Sequence, residues 1–105
     1  MIFTGLETIG VRITPNRDLY RVGEDVEVRC DVSGDVRGRA EVEWVKVDEP
    51  MATNVRTIGN ILRVNDVQPE NGGVYRCIVN TPSGKYEEDY ALTIQGMVLS
   101  LKFDI

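Results

Sequence analysis

Two cysteines, Cys30 and Cys77, are the residues of this 105-residue chain whose types and spacing indicate the most definite chemistry. Each lies at an inward position of a segment in which apolar and polar residues alternate, and Trp44 lies in a similar segment between them. A disulfide closing so long a loop would stabilise the fold by about 4 kcal/mol. We therefore expect the bridge, and two free cysteines buried in an intracellular domain are the alternative.

Catalytic and metal-binding chemistry has few candidates. The chain contains no His, which removes the commonest general base, the Ser-His and Cys-His nucleophile pairs, and imidazole metal ligands. The acidic pair Asp48 and Glu49 and the acidic run 87–89 would point alternately to opposite faces of a strand, so they form no calcium-binding loop. We predict no catalytic residues, no metal site and no cofactor.

The charge balance limits the partners. The chain has 12 Lys and Arg against 17 Asp and Glu, a formal net charge of -5. Such a surface repels phosphate backbones and anionic lipids, and no apolar run approaches the roughly 18 residues of a membrane span. We predict one folded domain that binds no nucleic acid and does not insert into membranes.

The cysteines and Trp44 lie in short segments in which apolar and polar residues alternate with a period of two. These segments lie around residues 11–13, 26–32, 41–44, 62–64, 75–79 and 85–95. Turn residues separate them, notably at 33–35, 69–73 and 81–84. No segment has helical spacing, so the sequence predicts an all-β chain of about seven short antiparallel strands in two packed sheets.

The positions of Cys30, Trp44, residues 62–64 and residues 73–77 resemble the signature of an immunoglobulin domain. The resemblance implies a Greek-key β-sandwich with one disulfide between the sheets. It also implies a core signature of Trp44, Leu62 and Tyr75, in which Tyr75 is the tyrosine-corner residue. The short spacing from Trp44 to Leu62 is similar to that of the I-set or C2-type domains. We expect an N-terminal extension at 1–8, the domain at 9–95 and a tail or linker at 96–105.

One position departs from the family pattern. Asn71 stands where the motif carries an Asp, whose carboxylate forms an ion pair with an Arg on a neighbouring strand. We expect no strong ion pair there, with Glu70 as a substitute carboxylate and Arg56 and Arg63 as the cations to examine.

Residues 11–15, 42–44 and 59–69 are similar to the tandem immunoglobulin repeats of perlecan-type basement-membrane proteoglycans. This resemblance implies a non-enzymatic, secreted module of the extracellular matrix or basement membrane. Such a module spaces its neighbours in a tandem array and binds matrix or cell-surface proteins. The alternative is an intracellular sarcomeric module with reduced cysteines and a mechanical role.

Three surface sites are candidates for recognition. Strand alternation places one candidate protein-binding face on the outside of the second sheet: Glu43, Val45, Val74, Arg76, Ile78, Glu87 and Asp89. An ordinary surface with scattered apolar residues is the alternative. A sulfated glycan would contact Arg37 and Arg39, although two arginines in an acidic domain form a weak basic patch. Ser33, followed by Gly and Asp, resembles a glycosaminoglycan attachment triplet of perlecan-like proteoglycans, and an ordinary turn explains the same residues.

The C-terminal tail carries a strand pattern of its own. Leu99, Leu101, Phe103 and Ile105 alternate with polar residues. Because a lone apolar strand needs an unpaired edge, we predict that the tail joins a sheet edge, in this chain or in a second copy as a homodimer. The alternative is a linker whose alternation is accidental.

Overall fold

The computed structural model describes residues 9–34 and 40–95, and β-strands account for most of them. A 3-10 turn, Pro69–Asn71, directly precedes the seventh strand. The strands are β1 (Ile9–Pro15), β2 (Tyr20–Arg21), β3 (Val26–Gly34), β4 (Glu41–Lys46), β5 (Val55–Ile58), β6 (Ile61–Val64), β7 (Gly73–Thr81), β8 (Gly84–Leu92) and β9 (Ile94–Gln95). Within these residues no helix is both long enough and apolar enough to span a membrane.

The strands form two main antiparallel sheets. One sheet has four strands in the order β1-β3-β6-β5, and the other has three in the order β4-β7-β8. The short strands β2 and β9 pair in parallel at the side. The chain passes from the first sheet to β4 in the second, returns to the first for β5 and β6, and crosses back for β7 and β8, which is a Greek-key path. The predicted all-β sandwich is confirmed.

The core lies between the two sheets and comes from the alternation seen in the sequence. On β3 the inward residues Val26, Val28 and Cys30 are fully buried, while Arg29 is exposed. Tyr75 and Cys77 are equally buried on β7. Each Val that leaves water in this way contributes roughly 1.5–3 kcal/mol.

Some strand boundaries differ from the sequence prediction. Ser33 and Gly34 extend β3 instead of forming a turn, because Gly10 and Ile9 on β1 pair with them. The predicted strand 85–95 divides at Thr93. Its first part pairs with β7 only as far as Gly73, and the chain then pairs with β2.

Strand β5 was not predicted, and its composition explains why. Val55 is partly buried, whereas the other residues of the strand, Arg56, Thr57 and Ile58, are exposed. An edge strand with so little burial has a weak alternation of apolar and polar residues. Its pairing with β6 identifies it in the structure.

Candidate protein-binding face and neighbouring sites

The outer face of the β4-β7-β8 sheet contains the residues predicted to bind a protein. Glu43 lies opposite Ile78, and Ile78 lies opposite Glu87, in one cross-strand row. Farther along the sheet, Val74 lies opposite Ala91. Ile78 is partly buried by its neighbours, whereas Val74 keeps 38% of its surface exposed. These positions alternate with the buried residues of the same strands, so their side chains point away from the core.

Arg76 organises the charges at the centre of this face. Its guanidinium donates two hydrogen bonds to Asp89, with distances of 2.7 Å from Nε to Oδ1 and 3.1 Å from Nη2 to Oδ2. Hydrogen bonding from Arg76 lowers the pKa of Asp89, and the same contact raises the pKa of Arg76. Arg76 Nε also lies 3.9 Å from Glu87 Oε1, and Val45 lies opposite Arg76 on β4. The central cation is therefore paired within its own chain.

The sequence prediction missed other members of this face. Glu41, Asn80 and Lys85 form a further cross-strand row, and Val47 follows β4 with the same parity. Val47 donates its backbone N–H to the carbonyl of Val74 at 2.9 Å, which continues the ladder beyond β4. The same parity that selected Glu43 and Val45 could have found Glu41 and Val47. In the part of the chain that the structure describes, acidic residues on this face outnumber basic ones: Glu41, Glu43, Glu87 and Asp89 against Arg76 and Lys85.

The two sheets are joined behind this face by the Cys30–Cys77 disulfide, with an S–S distance of 2.01 Å. Trp44 is paired with Cys77 across β4 and β7, and 4% of its surface is exposed. Its indole N–H donates to the carbonyl of Asn60 at 3.0 Å, so the buried ring has its polar atom satisfied. Leu62 is fully buried in the same core. The inter-sheet disulfide expected from the sequence is present.

Tyr75 forms the corner that the resemblance implies. Its hydroxyl donates to the backbone carbonyl of Asn71 at 2.6 Å. Burial raises the pKa of Tyr75 to about 12, and the nearby carboxylate of Glu49 adds to the shift. Lys46, whose side chain is only 3% exposed, reaches the same region and lies 5.4 Å from the centre of the Tyr75 ring. Its Nζ contacts Glu49 Oε2 at 2.9 Å and the Glu70 carbonyl at 3.0 Å.

A pair of amides occupies the place of the ion pair that the family motif carries. Asn71 is fully buried, and its Nδ2 donates to Asn54 Oδ1 at 2.9 Å. In return, Asn54 Nδ2 donates to Asn71 Oδ1 at 2.8 Å. Arg63, one of the cations considered for this place, instead pairs with Glu27 at 3.0 Å. Glu70 contributes its backbone carbonyl to Lys46. Sequence reasoning missed Asn54, because a single Asn in a loop gives no signal of a distant partner.

The candidate glycan sites have less structural support. Ser33 is exposed at the end of β3, opposite Gly10, so it lies in a paired strand and not in the turn that the sequence predicted. Arg37 and Arg39 lie outside the described residues, as does the whole tail 96–105. Among the described residues, no group of His, Cys, Asp and Glu side chains has the arrangement of a metal site.

A two-sheet Greek-key sandwich with a buried inter-sheet disulfide, a core Trp and a tyrosine corner is an immunoglobulin-type domain. The profile of the family described as "Immunoglobulin I-set domain" matches residues 10–94. The chain belongs to this family, whose domains are typically non-enzymatic.

Similar proteins include matrix, adhesion and muscle proteins. The chain is 34% identical over 90 residues to the basement membrane proteoglycan of Caenorhabditis elegans, covering 84% of the chain and 3% of that protein. This match confirms the resemblance to perlecan-type repeats. The chain is also 32% identical over 88 residues to the smooth muscle myosin light chain kinase of Gallus gallus, covering 78% of the chain and 4% of the kinase.

The fold is similar to that of the full ectodomain of mouse nectin-like molecule 4, with a TM-score of 0.78 and 20% identity. The superposition covers 86% of this chain and 31% of that one, and it shows the fold alone. The chain spans at most 21% of the length of the first curated relatives that it matches.

Proposed function

We propose that this chain is a non-enzymatic module of an extracellular matrix or adhesion protein, and that it binds a protein partner through the outer β4-β7-β8 face. The observation that carries the proposal is the arrangement of that face, where Val45, Val74 and Ile78 lie beside the Arg76–Asp89 pair. Apolar side chains that alternate with charges of both signs are typical of modest protein interfaces.

The charges of the face favour a partner of opposite sign. Arg76 is already paired with Asp89, and Lys85 Nζ lies 3.7 Å from Glu87 Oε2. The remaining acidic side chains on β4, Glu41 and Glu43, are exposed. A partner with an apolar patch and a basic rim would complement this surface, whereas a second copy of the same face would place acidic groups opposite one another.

Binding to a panel of purified matrix and cell-surface ectodomains tests this face. We expect Val45→Asp and Ile78→Asp to weaken a specific interaction by at least about tenfold, because each replaces an apolar contact beside Arg76 with a charge. Ile58→Asp is the matched control, since Ile58 is a 54% exposed apolar residue on the other sheet. If Arg37→Ala and Arg39→Ala weaken binding more than changes at Val45 and Ile78, the outer face is not the main contact.

The disulfide supports the extracellular setting. Disulfides persist in oxidising compartments and are rare in the cytosol, so a Cys30–Cys77 bridge fits secretion. Mass spectrometry of the protein isolated from its native source, with alkylation before any reduction, tests this assignment. The absence of alkylation at Cys30 and Cys77 would support the extracellular assignment, and one alkyl group on each of them would refute it.

A second candidate is an intracellular sarcomeric module with a mechanical role. The similarity to smooth muscle myosin light chain kinase favours it, because that relative shares 32% identity over 88 residues with the chain. Reduced cysteines in the native protein would select this candidate. The outer face would then serve contacts within a muscle protein array.

A further inference from the structure

The turn before β7 contains an Asn-Gly pair, which can undergo an intramolecular reaction. Asn71 is followed by Gly72, and this is the only place in the chain where Asn precedes Gly. In such a pair the backbone nitrogen of the glycine can attack the side-chain amide carbon of the asparagine. Glycine has no Cβ to hinder that approach. The pair therefore has the chemistry of a deamidation site.

The native fold engages every group that this reaction needs. Asn71 Oδ1 accepts hydrogen bonds from the Gln68 backbone N–H and from Asn54 Nδ2, each at 2.8 Å. Asn71 Nδ2 donates to Asn54 Oδ1 at 2.9 Å. The attacking nitrogen of Gly72 donates to the Pro69 carbonyl at 3.1 Å, within the 3-10 turn. The side-chain amide and the attacking nitrogen are thus both engaged in hydrogen bonds that the reaction must break.

Burial adds to this protection. Asn71 has no exposed surface, and its backbone carbonyl accepts the hydroxyl of Tyr75 at 2.6 Å. The hydrolysis of any intermediate requires water, which the native turn excludes from this side chain. Reaction consequently requires that the turn opens and that the contacts with Asn54 and Tyr75 are broken.

We propose that Asn71 is a deamidation site that the fold blocks and that unfolding of the turn before β7 activates. On opening, the Gly72 backbone nitrogen loses its proton to solvent and bonds to Asn71 Cγ. The side-chain nitrogen takes up a proton and leaves as ammonia, and a five-membered succinimide forms. Water then adds to one of the two imide carbonyls, which breaks one C–N bond and yields either Asp or isoaspartate at position 71. The net change is the addition of water and the loss of ammonia.

The products fit the native turn less well than Asn71 does. An Asp there places a second carboxylate oxygen against Asn54 Oδ1, where the native amide donates a hydrogen bond. An isoaspartate reroutes the backbone through the side chain and displaces the carbonyl that Tyr75 binds. A chain that deamidates while the turn is open therefore keeps Asp or isoaspartate at position 71, and it refolds to a less stable domain.

Gly72→Ala is a matched control that keeps Asn71 in place. Gly72 has an ordinary φ of -64°, and a Cβ there would lie 3.4 Å from the Pro69 carbonyl and 3.5 Å from the Leu92 carbonyl. The turn therefore accommodates alanine with small adjustment. A methyl group at this position hinders the attack on Asn71 Cγ in the opened chain. The variant therefore slows deamidation while it keeps the native fold.

The experiment compares folded and unfolded protein during incubation at mildly alkaline pH. One sample stays oxidised in buffer, and the other is reduced in concentrated urea. Peptide mapping by mass spectrometry measures deamidation at Asn71, and an isoaspartyl methyltransferase assay measures isoaspartate. We expect the folded chain to react more than about 100-fold slower, because the reactive geometry is reached only through opening. The Gly72→Ala chain should react at least about tenfold slower than the native sequence in urea.

Refolding provides an independent readout. After the urea incubation, the native sequence should recover a population with a lowered unfolding midpoint, and Gly72→Ala should recover its starting midpoint. Equal deamidation rates in the folded and unfolded samples would overturn the proposal, because the fold would then give no protection. Deamidation elsewhere with Asn71 intact in the unfolded chain would overturn it as well.

Discussion

Replacing Asn71 by Asp is expected to destabilise this domain, although Asp is the residue that the family motif carries at this position. The partner of Asn71 is the amide of Asn54 and not a cation. One carboxylate oxygen of Asp would still accept from Asn54 Nδ2. The other would face Asn54 Oδ1, an acceptor, across the 2.9 Å now occupied by a donated hydrogen bond. Rotating the Asn54 amide does not help, because it has a single NH₂ group to offer, which also donates to the Asn65 carbonyl at 3.1 Å.

The size of the effect follows from burial. Asn71 is fully buried, so the lost hydrogen bond leaves unsatisfied acceptors in the interior at a cost of about 1–3 kcal/mol. For a domain of this length, each kcal/mol lowers the unfolding midpoint by about 4–8 °C. We therefore expect Asn71→Asp to lower the midpoint by roughly 5–20 °C at neutral pH.

The pH dependence gives the prediction a distinctive sign. Burial and the facing oxygen both favour the protonated acid, so the folded-state pKa of Asp at position 71 should lie above its unfolded value of about 3.9. A carboxyl with a raised folded-state pKa makes its full contribution to the free energy of unfolding below the unfolded pKa. That contribution is lost as the pH rises through the folded pKa. The stability that the variant loses relative to the native chain should therefore be small near about pH 4 and large at neutral pH.

Thermal and urea unfolding, followed by Trp44 fluorescence and circular dichroism, measure this deficit. Asn65→Asp is the matched control, because it adds the same charge at an exposed residue whose backbone carbonyl also contacts Asn54. In an Asn54→Ala background the facing oxygen is absent, so the Asn71→Asp change should cost less than it does alone. A midpoint for Asn71→Asp equal to or above that of the native chain at neutral pH would refute the reasoning.

Other predictions concern the disulfide, the tyrosines and the surface ion pair. Reducing the disulfide or replacing both Cys30 and Cys77 by Ala should lower the free energy of unfolding by about 4 kcal/mol in urea titrations. Burial raises the pKa of Tyr75 and of Tyr90 to about 12. The contribution of these tyrosines to stability should therefore be complete below about pH 10 and fall as the pH rises further, and a Phe at either position should reduce that slope in unfolding curves. Asp89→Asn should change the urea midpoint little, because exposed ion pairs contribute about 0–1 kcal/mol.

The alternation of apolar and polar residues was sufficient to predict most of the sandwich. It located the strands around Cys30 and Cys77 and the outward parity of Val45 and Ile78, because each depends only on neighbours along the chain. The weakly buried strand β5 and the short β2–β9 pair escaped prediction. β5 pairs with its sequence neighbour β6, but its exposed residues give it no alternation of buried and exposed positions. β2 and β9 pair although they are far apart in the chain, so neither leaves a local pattern.

The sequence by itself determined the all-β class and the inward position of both cysteines, because period-two burial is a local property of a strand. Only the tertiary structure decided what replaces the missing ion pair at Asn71. The two amides come from Asn54 and Asn71, which are 17 residues apart, and they meet only after the sheets pack. The tertiary structure also decided that Arg76 is neutralised by Asp89, since that contact depends on the register of β7 against β8. Hydrogen-bond partners are chosen by three-dimensional proximity, which the chain acquires only when it folds.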